Sequence, residues 1–289
     1  MKHHKDCFVV ASLLLAMTIL TNVCYAKDAH SIQVKGSDTM VNLVQAWAED
    51  FMCKNPEIFV AVTGGGSGTG FSALIGNGCD IAMTSRTIKA KEIELAGQKG
   101  IHPKEYRVAL DGLAVVVNQK NPVSQLTLDQ LADIFTGRVK NWKAVGGSDA
   151  KIVVLSREVN SGTHVYFKEH VLRKGDAASK EEYSPDALLL PSSQAIADEV
   201  LQNPDAIGYY GMGYIGKDHK ALSIAKDKTA GFVYPTVDAV VSGSYPISRP
   251  LFLYTDEKEK PETKQFIEYI LSDKGQEMVS KLDFVPLKK

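Results

Sequence analysis

Along most of the chain, short strand-like apolar runs are each followed by a helical pattern. The first unit pairs a strand at 31–35 with a helix at 39–54, where apolar residues recur every three or four positions from Val41 to Phe51. Further strands are predicted at 58–63, 80–84, 108–117, 151–155, 206–210 and 249–254, and further helices at 69–75, 89–98, 127–135, 161–172, 192–201, 261–271 and 274–281. This order predicts an α/β protein with a mainly parallel sheet flanked by helices.

The first 26 residues have a different pattern. Two lysines precede an apolar run at 8–20, and small residues follow as far as Ala26. This arrangement is typical of a secretory signal peptide, and the run is shorter than the roughly 20 residues of a membrane span. We expect cleavage after Ala26 and a periplasmic or secreted protein. A lipoprotein cut before Cys24 is the alternative, although Val23 is larger than the residue such a signal requires.

The composition and the charge balance each exclude one class of protein. The 289 residues carry 33 Lys and Arg against 34 Asp and Glu, and 44% of them are hydrophobic. The apolar content excludes an intrinsically disordered chain. The absence of a positive excess excludes a nucleic-acid binder that relies on a general basic surface. Any bound anion must therefore be held by local geometry rather than by the field of the whole protein.

Two cysteines, Cys53 and Cys79, remain after the predicted cleavage. In an exported protein such a pair is commonly oxidised, so we predict a disulfide between them. Two buried free thiols are the alternative, because spacing along the chain does not supply the geometry of the bond.

Four turns rich in Gly, Ser and Thr, at 36–39, 64–70, 84–87 and 157–163, each follow a predicted strand and precede a predicted helix. Helix N-termini expose unpaired N–H groups and the positive end of the helix dipole, and both stabilise an anion. In an open α/β sheet such turns gather at the carboxyl ends of the strands. Ordinary helix capping explains each turn singly, but four together predict a cage of neutral donors for a small oxyanion.

Four charged residues near these turns are candidates for the same site. Arg157 lies four residues before a Ser-Gly-Thr turn, where its guanidinium could bind an oxyanion through two N–H groups. Arg86 is the second candidate cation, with a salt bridge as the alternative. Asp111 lies in an apolar run, where an unpaired carboxylate is costly. Three roles remain open for Asp111: a structural hydrogen bond, an acceptor for a proton of the ligand, or a group that orients an arginine. Asp38 is either a further ligand or a helix cap.

Other site chemistries lack their motifs. The glycine-rich turn at 64–70 is followed by Phe71 rather than by the lysine of a P-loop, and it has no G-x-G-x-x-G spacing. It also lacks the G-x-S-x-G of a nucleophile elbow. No HExxH pair is present, and Ser161 with the nearby His164 has no orienting acid. We therefore expect no cofactor, no metal and no catalytic residue.

A known family shares this set of turns. The chain resembles the PstS-type phosphate-binding proteins of ABC importers in four stretches, 36–40, 63–70, 80–86 and 156–163, in order along nearly all of the chain after residue 26. The resemblance implies that inorganic phosphate is the ligand and that a membrane ABC permease is the partner. We expect a monomer that binds no nucleic acid.

The resemblance also implies the type II periplasmic binding fold, an α/β fold of two lobes with the ligand in the cleft between them. Each lobe would have a mainly parallel sheet flanked by helices. Lobe I would comprise 27–112 and 250–289, and lobe II 113–249. The chain would cross between the lobes near the end of the apolar run at Val117 and again near 249–254.

Ligand contacts follow from the resemblance residue by residue. The positions that match the family's contacts are Thr39, Met40 through its backbone N–H, Ser67, Arg157, Ser161, Gly162 and Thr163. Ser37 and Ser85 are further candidate hydroxyl donors in the first and third turns.

One position departs from the family. Some members carry Asp, which accepts a hydrogen bond from protonated phosphate, where this chain has Arg86. Selection of phosphate over sulfate needs such an acceptor, because sulfate brings no proton at neutral pH. We expect Asp111, or else Asp38, to take that role.

The sequence thus predicts an exported, non-enzymatic protein that captures phosphate and delivers it to an ABC importer. A binding protein for another tetrahedral oxyanion, such as sulfate or molybdate, is the first alternative. A secreted phosphatase-like hydrolase is the second, and it would need a metal cluster or a nucleophile–base pair that the sequence does not show.

Overall fold

The predicted strand–turn–helix units recur in the computed structural model, which describes residues 30–287. The predicted signal peptide, 1–26, lies outside the described residues. The first six elements are β1 (His30–Gly36), α1 (Val41–Lys54), β2 (Ile58–Thr63), α2 (Ser67–Ile75), β3 (Ile81–Thr84) and α3 (Ala90–Gln98). One turn of 3-10 helix, Asp38–Met40, leads into α1.

The rest of the chain begins with the longest strand and ends in two helices. Its elements are β4 (Pro103–Val117), β5 (Gln125–Thr127), α4 (Leu128–Phe135), β6 (Val153–Arg157), α5 (Gly162–Phe167), β7 (Leu188–Leu190), α6 (Ser193–Gln202), β8 (Ala206–Gly211), β9 (Lys220–Ala221), β10 (Ser223–Ala225), α7 (Val237–Val241), β11 (Ser248–Asp256), α8 (Pro261–Leu271) and α9 (Asp273–Lys281). Thr127 caps α4 and Pro261 opens α8, as the sequence predicts.

Three features differ from the predicted elements. Strand β4 begins at Pro103, ahead of the predicted run at 108–117. The helix predicted at 161–172 is α-helical to Phe167 and continues as a π-helical turn, Lys168–Leu172. The short elements β5, β7, β9, β10 and α7 were missed, because runs of two to five residues are too short to show a periodicity.

The main sheet is mixed, with the strand order β2-β1-β3-β11-β4-β8-β6-β7. At one end β1 pairs in parallel with β2 and β3, and at the other end β6 pairs in parallel with β7 and β8. β4 and β11 lie in the middle, antiparallel to each other and to their outer neighbours. The outer parts of the sheet are therefore parallel, as predicted, and the two long central strands are antiparallel.

Two large hydrophobic cores lie towards opposite ends of this sheet. One contains Trp47 and Phe266, and its helices and strands form lobe I. The other contains Phe135 and Phe167, and its elements form lobe II. Each core is built by helices that lay an apolar face on the sheet, which is the usual packing of an α/β layer.

The central strands β4 and β11 join the two lobes, and we call them the hinge strands. The residues of β4 up to Gly112 pair with β11, whereas from Leu113 onward β4 pairs with β8. Strand β4 therefore pairs with elements on both sides of the sheet, and β11 lies between β4 and β3.

The predicted disulfide between Cys53 and Cys79 is wrong. Both cysteines are free: Cys53 is exposed on α1, whereas Cys79 is buried. Cys79 packs with Phe71 and Leu74 of α2 in a small apolar cluster, and that burial raises the pKa of its thiol to about 12. The two thiols thus occupy different environments, which the spacing in sequence does not reveal.

Within residues 30–287, no helix is both long and apolar enough to cross a membrane.

Candidate functional site

Three of the four predicted turns lie in lobe I and meet at one edge of its sheet. Strands β1 and β3 are parallel neighbours, so the turns that follow them emerge side by side. The hydroxyl of Ser37 donates to Ser85 Oγ at 2.9 Å, and Ser67 Oγ lies 3.3 Å from the same atom. Ser67 Oγ also accepts the backbone N–H of Ser85 at 3.0 Å. The predicted convergence of these turns is therefore present.

The fourth turn, from lobe II, closes against the other three. Thr163 Oγ1 lies 2.9 Å from Thr39 Oγ1. A Cβ added to Gly162 would lie 2.6 Å from Ser85 Oγ and closer still to Ser67 Oγ, so the bare backbone of Gly162 faces these hydroxyls. Ser161 caps α5 by accepting the N–H of Thr163. Glycine at 162 is thus required for the close approach of the lobes.

Six hydroxyl side chains from both lobes meet in this region, and each residue is at most 2% exposed. We call them the hydroxyl cluster: Ser37, Thr39, Ser67, Ser85, Ser161 and Thr163. Several of them hydrogen-bond to one another, and each has an O–H that can rotate towards a different acceptor. An anion between them would accept the hydrogen bonds that they now exchange. All six of these residues were predicted from the turns and the resemblance.

Arg249 was missed by the sequence analysis, although it lies at the centre of this region. It is 2% exposed on hinge strand β11, opposite Asp111 on hinge strand β4. Its Nη2 donates to Thr163 Oγ1 at 2.9 Å and to Thr39 Oγ1 at 3.4 Å. Its Nη1 donates to the carbonyl oxygen of Ser85 at 3.2 Å. An arginine at the start of an apolar strand was the only available signal.

Asp111 is the counter-ion of Arg249. Its Oδ2 accepts Nε of Arg249 at 3.2 Å and Nη2 at 3.0 Å, and its Oδ1 accepts the N–H of Met212 at 3.2 Å. Complete burial raises the pKa of Asp111, while the adjacent guanidinium opposes that shift. Of the readings left open from sequence, this geometry matches orientation of an arginine, and the arginine is Arg249 rather than Arg86 or Arg157.

Arg157 and Asp38, both predicted site residues, form an ion pair between the lobes. Arg157 Nη2 lies 2.6 Å from Asp38 Oδ2, and Arg157 is 1% exposed. The other donors of Arg157 go to its own lobe, to Leu190 O, Pro191 O and Ser193 Oγ. Asp38 Oδ1 accepts the backbone N–H of the glycine turn at 2.9 Å.

Arg86 is turned away from the hydroxyl cluster. Its Nη1 and Nη2 donate to the two carboxylate oxygens of Glu92 on α3, at 2.8 and 2.6 Å, and its guanidinium lies over the ring of Phe71. The salt bridge weighed as the alternative for Arg86 is what the structure contains. Met40 is also engaged elsewhere, since its backbone N–H bonds to Ser37 O at 3.0 Å.

A buried polar network supports the fourth turn from below. His164 Nδ1 bonds to the carbonyl oxygen of Arg157 at 2.8 Å, and Ser156 Oγ lies 2.7 Å from Tyr209 Oη. Tyr209 Oη in turn lies 2.7 Å from Tyr183 Oη. Burial lowers the pKa of His164 to about 4, so its ring is neutral at neutral pH. The sequence contained no signal for this support, because its members are far apart along the chain.

The arrangement fits a small oxyanion. Six buried hydroxyl side chains come from the four turns, and α2 begins among them at Ser67. Two guanidiniums are buried in the same region, each paired with a carboxylate. Such a site supplies many hydrogen bonds with little excess charge. A desolvated anion is then held by donor geometry.

Comparison with known sequences and structures agrees with this geometry. The sequence profile described as "PBP superfamily domain" matches residues 25–274. The phosphate-binding protein PstS of Pseudomonas aeruginosa is 34% identical over 269 residues, covering 87% of this chain and 81% of that protein. PstS of Staphylococcus epidermidis is 31% identical and covers 93% of this chain and 85% of its own length.

Solved structures show the same similarity. A putative phosphate ABC transporter substrate-binding protein from Clostridium perfringens, solved with bound phosphate, superposes with a TM-score of 0.80 at 34% identity, covering 90% of this chain and all of that one. An ABC-type phosphate transport receptor from Vibrio cholerae has a TM-score of 0.69 at 33% identity, covering 88% and 99% of the two chains. The predicted fold class is confirmed by these matches.

Proposed function

The chain belongs to the PBP superfamily and, within it, to the PstS-type phosphate-binding proteins, and on that premise we propose that it captures inorganic phosphate between its lobes and delivers it to an ABC importer. The protein acts as a carrier and not as an enzyme. It works outside the cytoplasmic membrane after loss of residues 1–26, as a monomer that docks on the permease. The relatives are named as binding or transport proteins, which supports this role.

The observation that carries the proposal is the hydroxyl cluster itself. It draws on both lobes, and its members are buried at the point where Gly162 approaches Ser67 and Ser85. A ligand with four oxygens and tetrahedral shape can accept bonds from all of these turns at once. A larger organic phosphate would have to separate them. These features favour inorganic phosphate as the ligand, with the hydroxyl cluster, Gly162 and the nearby Asp38 and Arg157 as its contacts.

Phosphate also needs an acceptor for its proton, and we assign that role to Asp38. Each oxygen of Asp38 accepts one hydrogen bond, from Arg157 or from Gly65, so each keeps a lone pair. Asp111, the first choice from sequence, accepts two bonds at Oδ2 from Arg249. Its remaining capacity is smaller than that of Asp38.

The lobes are proposed to divide at the predicted boundaries, 27–112 with 250–289 against 113–249. The exchange of pairing partner along β4 between Gly112 and Leu113 supports the first boundary. The C-terminal extension is less simple, because Val285 packs in the core of lobe II and its N–H bonds to Leu110 O.

Calorimetric titration of residues 27–289 with phosphate tests the proposal. We expect one site per chain, competition by arsenate, and no competition by sulfate or molybdate. In Asp38→Asn we expect sulfate to become a competitor, whereas Asp111→Asn should still reject it.

Two results would overturn this assignment. Absence of phosphate binding with tight sulfate or molybdate binding would make the protein a carrier of a different oxyanion. Release of phosphate from a phosphate ester, dependent on Ser161 or on an added metal, would make it a hydrolase.

A further inference from the structure

The hinge of this molecule carries a charged group that the four turns do not include. Arg249 and Asp111 are register partners on the two hinge strands, and their side chains are 1% and 0% exposed. Burial of an ion pair costs desolvation energy that a well-packed apolar pair would avoid. The position therefore calls for a role beyond joining two strands.

The guanidinium of Arg249 reaches both lobes at the hydroxyl cluster. Nη2 donates to Thr39 Oγ1 from lobe I and to Thr163 Oγ1 from lobe II, while Nη1 donates to Ser85 O. Only one hydrogen fits between the two threonine oxygens, so no more than one of these hydroxyls can donate to the other. At least one hydroxyl hydrogen is left to point at a ligand, polarised by the charge behind it.

A donor of Arg249 itself also remains. Among residues 30–287, four of its five N–H groups have acceptors, and the second hydrogen of Nη1 has none. That hydrogen belongs to a group already bound to the Ser85 turn. An oxyanion bound at the Ser85 turn would therefore lie next to Arg249 Nη1.

We propose that Arg249 is a phosphate ligand mounted on the hinge, and that Asp111 is the positioning residue that fixes its orientation. The proposal rests on phosphate being the ligand of the cleft. Arg249 binds one phosphate oxygen through Nη1 and polarises the two threonine hydroxyls that bind another. Because both members of the pair stand on the hinge strands, this contact is in place before the lobes meet.

The tyrosine beside Arg249 completes its fixation. The guanidinium of Arg249 lies 5.5 Å from the centre of the Tyr166 ring, and Tyr166 Oη donates to Ser248 O at 2.6 Å. The guanidinium thus lies over the Tyr166 ring, and that ring is tied to the residue before Arg249. Arg249 is held by its carboxylate, its strand and an aromatic face, which leaves little freedom for any other orientation.

The test compares Arg249→Gln, Arg249→Lys and the double variant Arg249→Gln/Asp111→Asn by calorimetry with inorganic phosphate, alongside thermal unfolding without phosphate. Arg249→Gln should weaken phosphate binding about 100-fold or more and lower the unfolding temperature, because Asp111 is left buried without its partner. The double variant removes that unpaired charge. It should recover much of the unfolding temperature, while phosphate affinity stays lost.

Three controls separate the outcomes. Arg249→Lys keeps the charge without the fork and should bind about tenfold more weakly than wild type. Asp111→Asn should weaken phosphate binding even though it removes a negative charge, whereas a charge effect alone would strengthen it. The double variant Arg86→Gln/Glu92→Gln removes a matched arginine–carboxylate pair that faces away from the cluster, and it should bind phosphate as wild type does.

Phosphate affinity within threefold of wild type in the folded double variant at 249 and 111 would overturn the proposal. If that variant does not fold, unchanged affinity in Arg249→Lys overturns it instead. Tighter binding by Asp111→Asn would remove Asp111 from its positioning role. Failure of the wild-type protein to bind phosphate is a separate result, which would overturn the proposed function itself.

Discussion

Two buried arginine–aspartate pairs flank the hydroxyl cluster, and they join different parts of the molecule. Arg249 and Asp111 stand opposite each other on neighbouring hinge strands, so their contact belongs to the frame that both lobes share. Arg157 comes from lobe II and Asp38 from lobe I, so their 2.6 Å contact needs the lobes to meet. We therefore expect the first pair to persist when the cleft opens and the second to form only on closure.

This difference separates two tasks of a binding protein. A ligand that enters an open cleft meets the hinge pair first, because that pair does not depend on closure. The pair between Arg157 and Asp38 then stabilises only the closed form. Two further hydrogen bonds join the same turns: Asn160 Nδ2 donates to Gly65 O, and the N–H of Gly68 donates to Asn160 O. We therefore expect changes at the hinge pair to affect binding directly. Changes at the contacts between the lobes should affect phosphate affinity through closure.

Among changes outside the hinge strands, the largest effect is expected where the lobes touch most closely. Gly162→Ala would place a Cβ 2.6 Å from Ser85 Oγ and 3.0 Å from Ser67 Cβ in the other lobe, so either these two side chains must shift or the cleft must open. We expect a loss of phosphate affinity of about 100-fold, near 3 kcal/mol, measured by calorimetry. Gly97→Ala in α3, where a Cβ meets nothing within 4 Å, is the matched control. Wild-type affinity in Gly162→Ala would show that closure is not needed for binding.

Arg157→Ala is expected to come next. It leaves Asp38 without its partner and removes the three bonds that Arg157 makes within lobe II. We expect phosphate affinity to fall about 30-fold, near 2 kcal/mol, and small-angle scattering to show a more open molecule at saturating phosphate. Arg138→Ala, which removes an exposed pair with Asp133, should change neither property. A closed Arg157→Ala protein with full affinity would remove Arg157 from both tasks.

The support below the fourth turn should make the protein less stable in acid. Burial lowers the pKa of His164 from 6.5 to about 4, so between these values the unfolded chain binds a proton that the folded chain does not. Stability should therefore fall as the pH drops from 7.5 to 5, with about 2 kcal/mol due to His164. Urea unfolding at both pH values measures this loss. In His164→Gln the loss should be smaller by that amount, and an equal loss in both proteins would contradict the assignment.

The smallest effects are expected at Cys53, for which the sequence predicted a disulfide, and at Arg86, which lies outside the hydroxyl cluster. Cys53→Ser should leave phosphate affinity and unfolding unchanged with or without reductant, because both cysteines are free. Arg86→Gln should change phosphate affinity less than about twofold, since its guanidinium is bound by Glu92. An unfolding temperature that changes with reductant would show that the cysteines do form a disulfide. A large loss of affinity in Arg86→Gln would show that Arg86 belongs to the site.

The order of strands and helices and the positions of the four turns were predictable, because they depend on local periodicity and on Gly, Ser and Thr at helix starts. Arg157 was found because a recognisable turn follows it. Arg249 was missed because its significance comes from register: only the pairing of β11 with β4 brings it opposite Asp111. The orientation of Arg86 and the separation of the two cysteines likewise depend on packing between distant segments, which no local pattern records.

The crystal structure of the protein with bound phosphate tests the central claim most directly. We expect a phosphate among the hydroxyls of Thr39, Ser67 and Thr163, with one of its oxygens bonded to Arg249 Nη1 and with Arg249 still paired with Asp111. Phosphate bound elsewhere, or bound in the cleft with the Arg249 guanidinium out of hydrogen-bonding reach, would contradict it.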